Sequence, residues 1–396
     1  MHHNTQTHQT IGKPNQNSIR QIMIVAGEAS GDLHGANLVT AMQSLNPNFR
    51  FYGIGGNRLK KAGVELLAHS SDMAVVGLTE VITKLKMILK VMRQLKISLK
   101  ERKPKMVILI DYPDFNLPLA KAARKQGIKV LYYISPQLWA WRKGRIKKIK
   151  KTVDKIAVIL PFEAQMYQEA GVDAVFVGHP LLDVVKRKFS YKEAIKRFGL
   201  QEGLTTVSIL PGSRVSEVVR LLPEMLQAAE ILAKMIPAAQ FVLPLADTLD
   251  LQLVQSIIRR YRAEVRIIQN ETYDVIGVSD IAIVASGTAT LETALLEVPM
   301  VIVYRVSNLS YNIGRQIIKV NNIGLVNIIA GKSIVPELIQ DEANSRRIAA
   351  EVSDILCSKT RREEMKLHLS TIKDKLGRPG VAGRVALLAY DMLSLR

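Results

Sequence analysis

From Gln21 onward, short apolar runs alternate with stretches of helical periodicity, and this alternation constrains the fold more than any other feature of the chain. Strands buried on both faces read as unbroken apolar runs, and a parallel neighbour can be reached only through a crossover, usually a helix. Runs 22–26, 49–54, 106–110, 129–134, 155–160 and 175–177 are expected strands, with helices at 33–45 and 117–126 among the connections. The series then starts afresh at 206–210, 240–245, 265–268, 281–284 and 300–304. Between the two series lies a charged, helix-prone stretch, 183–200. The expected class is therefore α/β, with two Rossmann-like doubly wound domains facing across a cleft. The expected boundaries are a tail at 1–20, a first domain at 21–185, a second at 186–370 and a C-terminal segment at 371–396. No sequence repeat relates the halves.

At 396 residues, with 48% hydrophobic and 23% charged residues, the chain can bury two cores. A single cysteine, Cys357, excludes an internal disulfide framework and suits a reducing compartment. The polar first 20 residues, with no apolar core of a secretory signal, are expected to form a mobile tail. No apolar stretch approaches the roughly 18 residues of a membrane span. The net charge of +20 is the abnormal quantity, and it is concentrated. Segment 84–105 sets nine Lys or Arg against one acid, Glu101, and segment 142–151 has seven basic residues and no acid. Such an excess implies an anionic partner for the first half: nucleic acid, phospholipid or a phosphorylated substrate.

Parallel sheets carry their reactive groups beyond the carboxyl ends of the strands, and four such ends stand out. Gly27-Glu28-Ala29-Ser30-Gly31-Asp32 opens a helix with two glycines, which suits close approach of a ligand. It lacks the G-x-G-x-x-G spacing, and Glu28 would repel a pyrophosphate. It reads equally as a tight turn with Asp32 as a capping acid. Asp111 ends the apolar strand 106–110, where a partly desolvated carboxylate can take a proton from a hydroxyl. Asp114 and Asn116 behind it read as caps of the next helix. Gly212, Ser213 and Arg214, with Glu217 one turn later, offer close backbone approach, a donor and a fixed cation to a diphosphate. Ser286, Gly287 and Thr288 form another glycine-containing helix start. Glu292 behind them either accepts from ribose hydroxyls or serves ordinary helix electrostatics.

Seven motifs then fall in a recognisable order: GEASGD (27–32), IDYPDFN (110–116), YYISPQLWAWR (132–142), FVGHPL (176–181), LPGSR (210–214), ASGTATLE (285–292) and VNIIAG (326–331). From about Gln21 to the C-terminus the chain resembles lipid-A-disaccharide synthase, a two-domain glycosyltransferase of the GT-B type. The resemblance implies that UDP-2,3-diacylglucosamine is joined to 2,3-diacylglucosamine 1-phosphate with inversion and release of UDP. No metal and no cofactor are implied. On that resemblance Asp111 is the general base for the acceptor's 6-hydroxyl. Arg214, Ser286, Gly287, Thr288 and Glu292 clamp UDP, and Glu28 and Asn327 occupy positions implicated in activity. Val326 stands where a proline is expected. The family architecture allows the C-terminal helix to cross back to the first domain, and a homodimer is compatible with it.

Met73, Val75, Val76, Leu78, Val81 and Ile82 resemble the family's acyl-chain and membrane-contact segment. They run into the basic helix, where Leu85, Leu89, Met92 and Leu99 alternate with lysines. Apolar and cationic residues together suit a helix lying on an anionic membrane surface, here the cytoplasmic face of the inner membrane. The alternative is a core-packing helix with a solvated basic back. Trp139 and Trp141 read as interfacial anchors, substrate walls or core, and His179 as structural. A nicotinamide-dependent dehydrogenase is disfavoured by the missing glycine fingerprint. A nucleic-acid-binding protein is disfavoured by 5% aromatics and the lack of a binding motif. A GT-B UDP-GlcNAc epimerase or peptidoglycan transferase would lack the SPQLWAW and IDYPDFN combination.

Overall fold

The computed structural model describes residues 20–73, 81–136, 146–307, 311 and 322–394. Val75, Val76, Leu78, Trp139 and Trp141 lie outside the described residues, as do the side chains of Met73, Val81 and Ile82.

The first sheet contains β1 (Arg20–Ala26), β2 (Phe49–Gly55), β3 (Glu65–His69), β4 (Met106–Ile110), β5 (Lys129–Tyr133), β6 (Lys155–Val158) and β7 (Ala174–Phe176). Their spatial order is β3-β2-β1-β4-β5-β6-β7, and β1 pairs in parallel with both β2 and β4. All five residues of β4 are fully buried, the reason its sequence is an unbroken apolar run. The edge strand β3 went unanticipated because its residues are only partly buried and carry no such run.

The second sheet contains β8 (Thr205–Leu210), β9 (Ala239–Leu245), β10 (Val265–Gln269), β11 (Ile281–Ala285), β12 (Met300–Tyr304) and β13 (Glu337–Ile339). Its order is β10-β9-β8-β11-β12-β13, with every neighbouring pair parallel. Strand β13, three residues long, is too short to leave a periodic signal. Both sheets are thus doubly wound and α/β, as expected. In each the strand order reverses at one point, between β1 and β4 and between β8 and β11. Beyond the carboxyl ends of those strands a doubly wound sheet offers a crevice to a ligand.

The described residues form two compact units, one drawn from within 20–136, 149–156 and 382–394, the other from within 146–148 and 157–381. The second unit therefore begins before the 185/186 boundary read from the sequence. Leu160, Leu181 and Leu182 are buried in the same core as Ile209, Leu226 and Ile283, which ties these three residues to the second sheet. In the first unit Tyr390, on the helix Val381–Ser394, meets Phe49 edge to face with ring centroids 6.3 Å apart, and Lys129 Nζ donates to the carbonyl of Met392.

Helix Val81–Arg102 divides its apolar residues. Val91, Leu95 and Leu99 are buried, so Leu99 belongs to the core and not to an exposed apolar stripe, whereas Leu85 and Leu89 are 52% and 59% exposed. Among the described residues no helix is long and apolar enough to cross a membrane.

Candidate functional site

At the reversal point of the first sheet, Ala26 pairs with Ile110, so the chain leaves β1 at Gly27 beside the point where it leaves β4 at Asp111. The two exits pack directly: a Cβ on Gly27 would lie 2.5 and 2.6 Å from ring carbons of Tyr112. Only glycine leaves room for that ring. Glu28 follows in extended conformation as N-cap of the helix Ala29–Leu45, but its side chain makes no capping bond and is exposed. Asp32 has a structural task. Its buried carboxylate accepts from the backbone N–H groups of Gly56, Arg58 and Leu59 at 2.6, 3.0 and 3.1 Å. It caps the short helix Asn57–Lys61, not the helix it sits on.

Asp111 and Tyr112 both adopt left-handed backbone, φ 46° and 47°. Non-glycine residues rarely do so, and consecutive ones need support from their surroundings. Asp111 N–H donates to the Tyr133 carbonyl at 3.2 Å. Asp111 C=O accepts from Tyr132 Oη and Asn116 Nδ2, each at 2.6 Å. Asn116 also donates to the Ile110 carbonyl at 3.2 Å and is fully buried. The expected capping role of Asn116 is therefore replaced by a tie between its helix and the strand end. Burial pushes the Asp111 carboxyl up from 3.8 to about 6, and the negative Glu28 adds to the rise. A hydrogen bond from the Tyr112 N–H works the other way. The result is a carboxylate whose proton affinity lies near neutral pH.

In the second unit, Gly212 turns with φ 110°, and a Cβ there would meet Glu217 Oε2 at 2.4 Å. Glu217 fills that space. Its Oε2 accepts from the N–H groups of Ser213 and Arg214 at 3.1 and 3.3 Å, and its Oε1 pairs with Arg214 Nη1 at 3.0 Å. Glu217 was expected to bind substrate; its carboxylate holds the loop and its arginine. The Ser213 and Arg214 N–H groups are likewise engaged within the loop. Arg214, with its side chain 70% exposed, is the group this loop offers to an anion.

On the neighbouring strand end, Ser286 N–H donates to Val303 and its hydroxyl to the Ile323 carbonyl. Gly287 and Thr288 are exposed, and space is open where a Cβ on Gly287 would lie. Glu292, half-buried one turn on, accepts from Tyr273 Oη at 3.2 Å. Burial raises its pKa, and the Tyr273 bond opposes the rise.

Asn327, expected among the catalytic residues, makes its hydrogen bonds within the protein. It is 0% exposed, with Nδ2 donating to Val335 O at 2.9 Å and Glu337 Oε1 at 2.7 Å. Its Oδ1 accepts from the N–H groups of Ile334 and Val335 at 2.8 and 3.1 Å. Both donors and both acceptor sites of the amide are engaged inside the protein. Glu337 completes the knot by accepting from Ile323 and Gly324 N–H, the turn whose carbonyl also receives Ser286. His179, read as structural, is buried and accepts from Leu181 N–H. Tyr132 begins the 132–142 motif, but no role was read for it, and Tyr273 and Glu337 were missed because nothing in their local spacing marks them. Among the described residues no group of three or more His, Cys, Asp or Glu could hold a metal ion.

A protein-family model described as lipid-A-disaccharide synthetase matches residues 22–382. The lipid-A-disaccharide synthase of Syntrophus aciditrophicus is 58% identical over 373 residues, covering 94% of this chain and 97% of that protein. Among solved structures, a UDP-GlcNAc 2-epimerase from Neisseria meningitidis bound to UDP-GlcNAc aligns with TM-score 0.64 at 15% identity. The alignment covers 95% of this chain and 100% of that one. MurG of Acinetobacter baumannii aligns with TM-score 0.58 at 14% identity over 94% of this chain and 99% of that one. At such identities the structural likenesses speak for the fold alone, which is GT-B.

Proposed function

The chain belongs to the lipid-A-disaccharide synthase family, a family of glycosyltransferases, and from that premise we propose a division of labour among its residues. The reaction joins UDP-2,3-diacylglucosamine to 2,3-diacylglucosamine 1-phosphate, with the acceptor hydroxyl attacking the anomeric carbon as UDP departs. Asp111 is the general base that takes the hydroxyl proton. The observation that carries this assignment is its carboxyl, raised to about 6 and fixed at the reversal point of the first sheet. A base poised near the working pH is ionised yet still a strong enough acceptor. Inversion needs one base on the face opposite the leaving group, and one carboxylate suffices.

Glu28 serves as a second negative charge that helps keep Asp111 basic. Arg214 meets the diphosphate as charge builds on the leaving group, and Glu217 orients it. Gly287 and Thr288 leave room for the phosphates beside Ser286, and Glu292 accepts from the ribose hydroxyls. Asn327 is a positioning residue: through Glu337 it fixes the 323–324 turn against which Ser286 rests. The exposed Leu85 and Leu89, set among lysines, support docking of helix Val81–Arg102 on an anionic membrane. That docking places the enzyme at the cytoplasmic face of the inner membrane.

The test is Asp111→Ala assayed with both sugar lipids and mass analysis of the disaccharide. Turnover is expected to fall by roughly 10² or more with UDP affinity unchanged. Near-normal turnover removes Asp111 from the mechanism.

A further inference from the structure

We propose that Tyr132 and Asn116 are positioning residues for the base, fixing the direction of the Asp111 carboxylate by holding its carbonyl in a left-handed turn. The inference rests on the reading of Asp111 as the base.

The backbone at 111 and 112 lies in a region that non-glycine residues rarely adopt, so released from its partners it would leave that region. Asp tolerates left-handed backbone better than most residues, but a bulky Tyr does not. Tyr112 is kept there by packing. Its ring fills the space over Gly27 and stacks on Phe115, with centroids 5.6 Å apart and an interplanar angle of 22°. Asp111 is kept there by hydrogen bonds. Its carbonyl takes two donors at 2.6 Å from two different elements: Tyr132 on β5 and Asn116 on the helix Pro113–Arg124. Both donor residues are 0% exposed, so water does not readily replace either bond. Asn116 Oδ1 is buried with no hydrogen-bond partner among the described residues. An amide that leaves its own acceptor unsatisfied in order to donate to the Ile110 and Asp111 carbonyls is placed for its donor side. The two peptide planes that flank Asp111 are both held, one at the Asp111 carbonyl and the other at the Asp111 N–H by Tyr133 O, and together they fix its Cα–Cβ direction. General-base catalysis is sensitive to that direction, because the proton must be met at hydrogen-bond distance.

The experiment is a double-mutant cycle between Tyr132→Phe and Asp111→Asn in the full chain, with kcat, KM for each substrate and UDP affinity measured. Tyr132→Phe keeps the ring and removes only the hydroxyl donor. The expected result is a kcat roughly 10-fold lower with KM and UDP affinity within about twofold of the parent. In the Asp111→Asn background the same change is expected to have no further effect, because its influence runs through the carboxylate. A kcat within about twofold of the parent, or an equal loss in both backgrounds, would overturn the proposal. Asn116→Ala removes the other donor and carries the same expectations, so poor folding of one variant leaves the other to decide. A different failure is recognisable: Asp111→Asn with near-normal turnover refutes the base assignment itself.

Discussion

Replacing Asp111 with Asn should make the protein more stable at neutral pH while it loses activity. The folded-state pKa of Asp111 is raised from 3.8 to about 6, so the fold binds its proton more tightly than the unfolded chain does. The stability linked to this proton is fully present below 3.8 and is lost as pH rises through about 6. One pH unit of displacement corresponds to about 1.4 kcal/mol, so the ionised carboxylate costs the fold up to about 3 kcal/mol above pH 7. Asp111 is partly exposed, and solvent screening reduces this to about 2–3 kcal/mol. Asparagine keeps the shape, and its oxygen can still accept from the Tyr112 N–H. Urea denaturation at pH 8 should therefore show Asp111→Asn more stable by about 2–3 kcal/mol, and by about half of that at pH 5. A destabilised variant at pH 8, or a difference that does not change between the two pH values, refutes a buried, uncompensated charge at this site. The same measurement bears on function, since a carboxylate retained at a cost to stability needs another reason to be there.

Glu28→Gln removes the second cause of the raised Asp111 pKa. The acid limb of the kcat/KM profile, scaled to its plateau, should move down by less than about one pH unit, since burial is the larger cause; a limb that stays in place or rises contradicts the coupling. Arg214→Ala should weaken UDP binding about tenfold or more by calorimetry, whereas unchanged affinity would refute its diphosphate contact. Asn327→Ala takes the side-chain partner from two backbone N–H groups and a backbone carbonyl, and removes one of the donors to Glu337. It should destabilise the second unit by about 3 kcal/mol or more and weaken UDP binding with it; a mild loss of stability with a large loss of kcat alone would return Asn327 to a catalytic role. Asp32→Ala should cost about 2–4 kcal/mol of stability with UDP affinity unchanged, because three N–H groups at one helix start lose their acceptor.

Residues whose position follows from strand ends were legible in the sequence. An apolar run such as 106–110, followed by turn residues, reads as a strand buried on both faces, and the next polar residue then sits at the sheet's lip, as Asp111 does after β4 and Ser286 after β11. Residues whose task depends on what comes to meet them were not. Glu217 has the spacing of a substrate ligand and turns out to hold its own loop. Asn327 lies in a family motif and spends its whole amide inside the protein. Tyr132 and Tyr273 sit in strand and helix contexts that suit any tyrosine, and only the fold brings their hydroxyls to Asp111 and Glu292.

The order of apolar runs determined the α/β class, the parallel sheets and the strand ends that carry polar groups. That pattern is local, and burial on two faces leaves it in the sequence. Tertiary structure alone decided which strand ends lie side by side, which carboxylate is desolvated enough to hold a proton near neutral pH, and which polar groups are already spent on one another. Those are properties of pairs of residues far apart in sequence, set by distance and burial.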